Sequence, residues 1–215
     1  MSRDDADDVL KGWLAKMAAE AVPAGIQLEL LEAAEARGLA LGTPVELAVA
    51  GQTTDDYLMC LEGGDGAAGA DVFYGFAAAA CRRCHIVNGS GSAVGPNLSE
   101  IGKQKDRRYL LESIIETNKA IAKGYQTKLL LLADGRVLSG IVAEEDDETL
   151  TLVMPTGERQ EVLKDDIDNE KIGQSGMPAD LYTQLSRREI RDLVEFLSGL
   201  KEEKLPEDDE GHAAE

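Results

Sequence analysis

The sequence predicts a mainly α fold, in which a helical domain is interrupted by a small β-meander or open barrel and preceded by a helical repeat-like segment. Three features predict it. Apolar residues recur at helical spacing over 4–62, 106–118 and 186–197. Between 125 and 163 the period switches to short strands joined by tight turns. Helical patterns lie on both sides of that stretch, so the flanking helices must belong to one core.

The first helical stripe is Val9, Leu10, Trp13, Leu14 and Met17, and Pro23 ends it. Ile26, Leu28, Leu30 and Leu31 begin a second, running to Gly38, and Thr43-Pro44 reads as an N-cap with a first-turn proline. Short antiparallel helix pairs of this kind resemble the terminal unit of a helical-repeat array. They read equally well as a small helical cap on the next domain. The E-G-G-D-G run at 62–66 is a linker by composition. A short helix over 67–79 then leads to two cysteines, and the Gly- and Ser-rich stretch 88–96 is a loop.

A further helix over 106–118 buries Tyr109, Leu110, Ile114 and Ile115. Four strands come next, at 125–132, 136–142, 148–154 and 159–163, the first turn marked by Asp134-Gly135. This meander matches a small open barrel of Sm-like type. Ser186 with Glu189 three residues on is a capping box, opening a last helix through Ile190, Leu193, Val194, Phe196 and Leu197. The resulting division is 1–64, a helical repeat-like segment; 65–121 with 174–204, the helical domain; 122–173, the inserted β module; and 205–215, an acidic disordered tail.

The chain has 215 residues, enough for one or two domains with real cores. Its formal net charge of -19 argues against nucleic acid and anionic membranes as partners. The charge is uneven: residues 81–136 hold ten Lys or Arg against five Asp or Glu, a basic island in an acidic chain. No apolar run is long enough to span a bilayer, and Met1-Ser2-Arg3 leads directly into acidic helical sequence instead of a signal peptide.

The most informative stretch is C-R-R-C-H at 81–85, in a chain with one other cysteine, Cys60, and one other histidine, His212. A C-x-x-C pair serves thiol redox exchange, zinc binding or covalent haem attachment. Thiol exchange wants the pair at a helix N-terminus beside a βαβ unit, whereas here it comes after a helix and four alanines with no strand before it. Zinc wants four donors; Cys81, Cys84 and His85 supply three, and Cys60 is the only other cysteine. Haem attachment uses every residue of the motif: two thiols one turn apart for the two vinyl groups, then an imidazole placed under the iron.

The surroundings carry the same reading. C-R-R-C-H, the G-P-N-L loop at 95–98, the run 109–115, N-K-A-I at 118–121, D-G-R-V-L-S-G at 134–140 and the Met177-Pro178 pair together resemble a class I c-type cytochrome domain with a β insertion. The combination is similar to the haem-binding domain of Planctomycetes and Verrucomicrobia, over about residues 65–200. That resemblance implies one covalent haem c held by Cys81 and Cys84, with His85 as proximal ligand. It implies that the Pro96 carbonyl accepts a hydrogen bond from His85, and that Met177, in the loop before the last helix, is the sixth ligand. It also implies that Gly69 and Phe73 cross the C-terminal helix near Phe196 and Leu197. Met154, Met17, Met59 and His212 are weaker choices for the sixth position. Pro96 and Met177 lie 81 positions apart; without 122–173 the separation is 29, an ordinary length in this family.

By the same resemblance the chain is an electron carrier and not an enzyme by itself. It would accept electrons from an attached or associated dehydrogenase and pass them to a respiratory carrier, using Arg82, Arg83, Lys103, Lys105, Arg107 and Arg108 to orient its haem face. Arg107, Arg108 and Tyr125 are candidates to bind the haem propionates. Covalent haem attachment implies a periplasmic or otherwise exported protein, so the sequence is expected to be a mature form or a segment of a longer chain. The alternative is a haem-based gas or redox sensor with a labile sixth ligand. The β module, through its edges, and Cys60, through a cross-link, are two routes to a dimer.

Overall fold

The structure is a computed structural model that describes residues 3–39, 53–77 and 79–202. The Thr43-Pro44 cap, His212 and the tail from 205 lie outside the described residues. The helices are α1 (Arg3–Ala18), α2 (Gln27–Arg37), α3 (Gly66–Gly75), α4 (Ile101–Gln104), α5 (Arg107–Ile115) and α6 (Arg187–Gly199). The strands are β1 (Ile86–Val87), β2 (Ser90–Gly91), β3 (Gln126–Leu132), β4 (Val137–Glu145), β5 (Thr149–Val153), β6 (Arg159–Leu163) and β7 (Ile167–Ser175). Among the described residues helix accounts for 44% and strand for 21%, with one five-stranded and one two-stranded sheet. This overturns the mainly α prediction: the fold is mixed, because β7 and the β1–β2 hairpin add strands where the apolar pattern shows none.

The chain divides into two compact units. The first combines 1–79, 105–121 and 177–199. Its centre is the crossing of α3 and α6. A Cβ on Gly69 would lie 2.0 Å from the Asp192 carbonyl oxygen and 2.8 Å from the Phe196 Cβ, so only glycine permits this approach. Phe73 and Phe196 pack with their rings tilted at 49° and centroids 5.6 Å apart, and Tyr74 meets Phe196 edge-on at 6.0 Å. Phe73, Leu28, Leu111, Ile190, Leu193 and Val194 are fully buried, each worth about 1.5–3 kcal/mol by transfer from water.

The helix ends obey their sequence signals. Asp65 caps α3 by accepting from the Ala67 and Ala68 amides, and Asp106 caps α5 through the Tyr109 amide. At the start of α6 the Glu189 carboxylate accepts from the Ser186 amide at 2.7 Å, while the Ser186 hydroxyl accepts from the Glu189 amide at 3.2 Å. Helix α3 stops at Gly75, short of the cysteines, and α5 stops at Ile115, where the Glu116 carboxylate turns back to accept from the Thr54 amide at 2.9 Å. Helix α2 is tied to α6 by charge: Arg191 meets Glu29 at 2.6 Å, Arg187 meets Glu35 at 3.1 Å, and Arg188 pairs with Glu32.

Cys60 is fully buried, 3.4 Å from the Arg187 carbonyl oxygen, and burial pushes its thiol up to about 12. A cross-link through it would require the surrounding helices to open. Arg107 and Arg108 are also committed within this unit: Arg107 to Glu195 at 2.6 Å and the Leu61 carbonyl, Arg108 to Asp55 at 2.6 Å.

The second unit combines 80–104, 122–176 and the chain from Leu200 onward. Its sheet has the order β6-β5-β4-β3-β7, antiparallel throughout, so the last strand returns beside the first. Five strands stand where the sequence predicts four; the fifth is β7, pairing with β3. Leu130, Leu132, Leu150, Leu152 and Val162 form its buried core, with Leu138, Val142, Met154 and Ile167 packed around them. Alternation along β3 buries Leu130 and Leu132 and leaves Leu129 and Leu131 on the other face.

Candidate functional site

The C-R-R-C-H segment is shaped by one unusual residue. Ala80 sits at φ +48°, in the left-handed region, and turns the chain into a short 3-10 turn over Cys81–Arg83. The Cys84 and His85 amides both donate to the Cys81 carbonyl, at 3.1 and 3.0 Å. One tight turn therefore separates the two thiols and places His85 directly after them. Arg82 and Arg83 are exposed, whereas Cys81, Cys84 and His85 are half-buried. The charged pair keeps its side of the turn in water, while the two cysteines are partly withdrawn from it.

The chain then forms the hairpin β1–β2, with Ile86 opposite Gly91 and Val87 opposite Ser90. Its two-residue turn is Asn88 at φ +51° and Gly89 at φ +75°, the signature of a type I′ turn. Val87 is fully buried. The loop after the hairpin folds back onto the motif: the Gly95 amide donates to the Cys84 carbonyl and the Leu98 amide to the Ile86 carbonyl at 2.8 Å. Asn97 holds the loop's far end by accepting from the Ser99 amide and hydroxyl, and that hydroxyl accepts from the Asn88 amide at 2.8 Å.

These contacts bring the Pro96 carbonyl oxygen to 2.9 Å from His85 Nδ1. A carbonyl only accepts, so Nδ1 carries the proton and the Nε2 lone pair is left to act as a donor to a metal. A Cβ on Gly95 would come within 2.8 Å of the ring's Cε1, so the loop lies flat against the imidazole. Burial lowers the His85 pKa, against the opposing pull of the Pro96 carbonyl, which favours the neutral ring that a metal requires. Burial pushes the Cys81 thiol up to about 11 and raises that of Cys84. All three cysteines are free thiols.

These properties discriminate among the chemistries of the motif. A redox thiol needs a depressed pKa, and both cysteines are raised. Among the described residues no three His, Cys, Asp or Glu side chains gather as a metal-binding group of the kind zinc uses. Two protonated, half-buried thiols beside a neutral imidazole with one fixed tautomer fit a haem: the thiols suit its vinyl groups and Nε2 suits its iron.

The structure thus brings Cys81, Cys84, His85 and Pro96 together in one loop of the second unit. Met177, half-buried, comes after Gly176 at the end of β7 and begins the third segment of the first unit. Of the other methionines, Met154 packs on the sheet core and Met59 is buried in the first unit. Within the basic island Lys103 pairs with Glu100 and Lys105 lies over the Tyr109 ring. Among the described residues no ion pair involves Arg82 or Arg83.

Sequence reasoning missed Asn97 and Ser99 as the clasp that holds the Pro96 loop. The hairpin carries a readable signal, Asn88-Gly89, but only two residues on each side to frame it. The family model described as Cytochrome c matches residues 67–201. No curated protein matches the chain.

Proposed function

The chain belongs to the cytochrome c family, and we propose that it is an electron-transfer domain with one haem c bound covalently through Cys81 and Cys84 and ligated axially by His85 and Met177. The haem iron supplies a one-electron ferric/ferrous couple. The observation that carries this reading is the 2.9 Å contact between His85 Nδ1 and the Pro96 carbonyl, beside two half-buried cysteines.

Each residue has a defined task. Cys81 and Cys84 would hold the haem covalently, their protonated thiols being the form that adds across its vinyl groups without an oxidant. Pro96 holds the Nδ1 proton of His85, which fixes the ring and strengthens Nε2 as a donor. Met177 would be the second protein ligand of the iron, and a thioether there favours the ferrous state relative to a second histidine. The first 64 residues act as a helical segment ahead of the haem domain, and the β sheet as a module set into it.

Electrons arrive from an attached or associated dehydrogenase and leave to a respiratory carrier, in the periplasm or another exported compartment. The exposed Arg82 and Arg83 beside the motif support docking to acidic partners. No helix among the described residues is long and apolar enough to cross a membrane.

The test is maturation of the chain alongside haem-attachment machinery, then intact mass and acid extraction. The protein should carry one haem that extraction does not release, and Cys81→Ala with Cys84→Ala should carry none. A chain that matures without covalent haem overturns the reading.

A further inference from the structure

Strand β7 leaves the sheet two residues before Met177, and its exit is irregular. Gln126 pairs with Ser175 and Lys128 with Ile172, so the single residue Thr127 faces both Gly173 and Gln174. This is a β-bulge on β7, a device that bends a strand and re-aims the residues after it. Thr127 holds it from the facing strand. Its hydroxyl donates to the Gln174 carbonyl at 2.5 Å. Its methyl lies 3.9 Å from where a Cβ on Gly176 would stand, and a Cβ on Gly173 would sit 2.3 Å from its hydroxyl oxygen. Gly173 is therefore the residue type that admits Thr127 into the bulge, and Thr127 in turn secures the backbone that runs through Ser175 and Gly176 into Met177.

We propose that Thr127 is a positioning residue for Met177: by pinning the Gly173–Gln174 bulge it sets the direction in which the chain leaves the sheet and delivers the thioether. The inference rests on Met177 being the sixth ligand. Without the pin, β7 can pair in plain register, and a one-residue shift presents the subsequent side chains to the opposite face. The hydroxyl is the specific element, since a valine has the same shape but no donor for the Gln174 carbonyl.

The experiment is an optical titration of the oxidised haem protein with imidazole, which competes with the sixth ligand, on wild type, Thr127→Val, Thr127→Ser and Met177→Leu. One lost hydrogen bond moves a local equilibrium about fivefold. Thr127→Val should therefore bind imidazole about fivefold more tightly than wild type, and Thr127→Ser should stay near wild type. Gly173→Ala, which pushes the hydroxyl off its partner, should move in the direction of Thr127→Val. Met177→Leu should bind imidazole most tightly of all. If Met177→Leu does so but Thr127→Val matches wild type, the positioning role is overturned and the ligand assignment stands. If Met177→Leu matches wild type, the ligand assignment fails and the positioning role with it. Thermal melting of the same proteins separates the two kinds of effect, because a merely structural Thr127 would lower the melting point of both Thr127 variants without changing imidazole affinity.

Discussion

Helix α6 packs on several elements of its unit and strand β3 pairs on both of its sides, yet they are secured in different ways. Helix α6 is held by close backbone approach at Gly69, by the Phe73–Phe196 contact and by three arginines reaching the glutamates of α2. Strand β3 is held by hydrogen-bonded ladders to β4 and β7 over a core of five buried apolar residues. A helix crossing of the first kind fails wholesale when one atom is added at the wrong place. A ladder distributes its load, so a strand can carry a bulge and still pair. The sheet accordingly holds a bulge at Gly173–Gln174 and still pairs on either side of it, while the helix crossing has no such slack at Gly69.

The largest expected effect breaks the first half of this comparison. Gly69→Val drives a branched side chain into the Asp192 carbonyl, and overpacking of that severity costs about 3 kcal/mol or more. The helical unit should then lose its cooperative thermal transition by circular dichroism. Leu152→Ala tests the second half. Deleting this fully buried side chain costs about 2–5 kcal/mol, and amide exchange should accelerate across β3–β7 more than in α3 and α6.

A smaller effect comes from the Arg191–Glu29 pair. Burial raises the Glu29 pKa, but the hydrogen bond and charge of Arg191 outweigh it and leave the value below that of an ordinary glutamate. A depressed pKa means stability that is fully present above the unfolded value, about 4.3, and lost as pH falls through the folded one. Wild type should therefore lose part of its stability below about pH 4. Glu29→Gln should be less stable at neutral pH by about 1 kcal/mol, a figure reduced for the partial exposure of Glu29. It should also show a shallower acid slope in melting temperature.

The smallest effect concerns docking. Reversing Arg82 and Arg83 to glutamate should leave folding unchanged and slow electron transfer to an acidic partner severalfold at low salt, with the difference shrinking at high salt. Equal rates at low salt would remove these two residues from the docking face.

Much of the helical unit is legible in the sequence because its signals are local. The Ser186–Glu189 box and the Gly69–Phe73 face lie where short patterns place them, and the Asp65 and Asp106 caps are equally local, each accepting from amides two or three residues on. The C-R-R-C-H and G-P-N-L stretches are legible for the same reason, since the chemistry of each is held within five residues. The features that escape are set by partners distant in sequence. Strand β7 reads I-D-N-E-K-I-G-Q-S, nearly all polar, because it is an edge strand and only one side of it pairs. A pattern search passes over it and therefore predicts a mainly α fold. The end of α5 depends on Thr54, and the bulge at Gly173–Gln174 depends on Thr127; neither contact has a sequence pattern of its own.

The proposed function requires a six-coordinate haem with His85 and Met177 on the iron. The visible spectrum of the matured protein, oxidised and reduced, with carbon monoxide then added to the reduced form, tests it most directly. Ligation by His85 and Met177 predicts a weak far-red sulfur-to-iron band in the oxidised spectrum and no response to carbon monoxide. Ready carbon monoxide binding without that band would contradict it, and would assign the chain to a ligand-binding sensor instead.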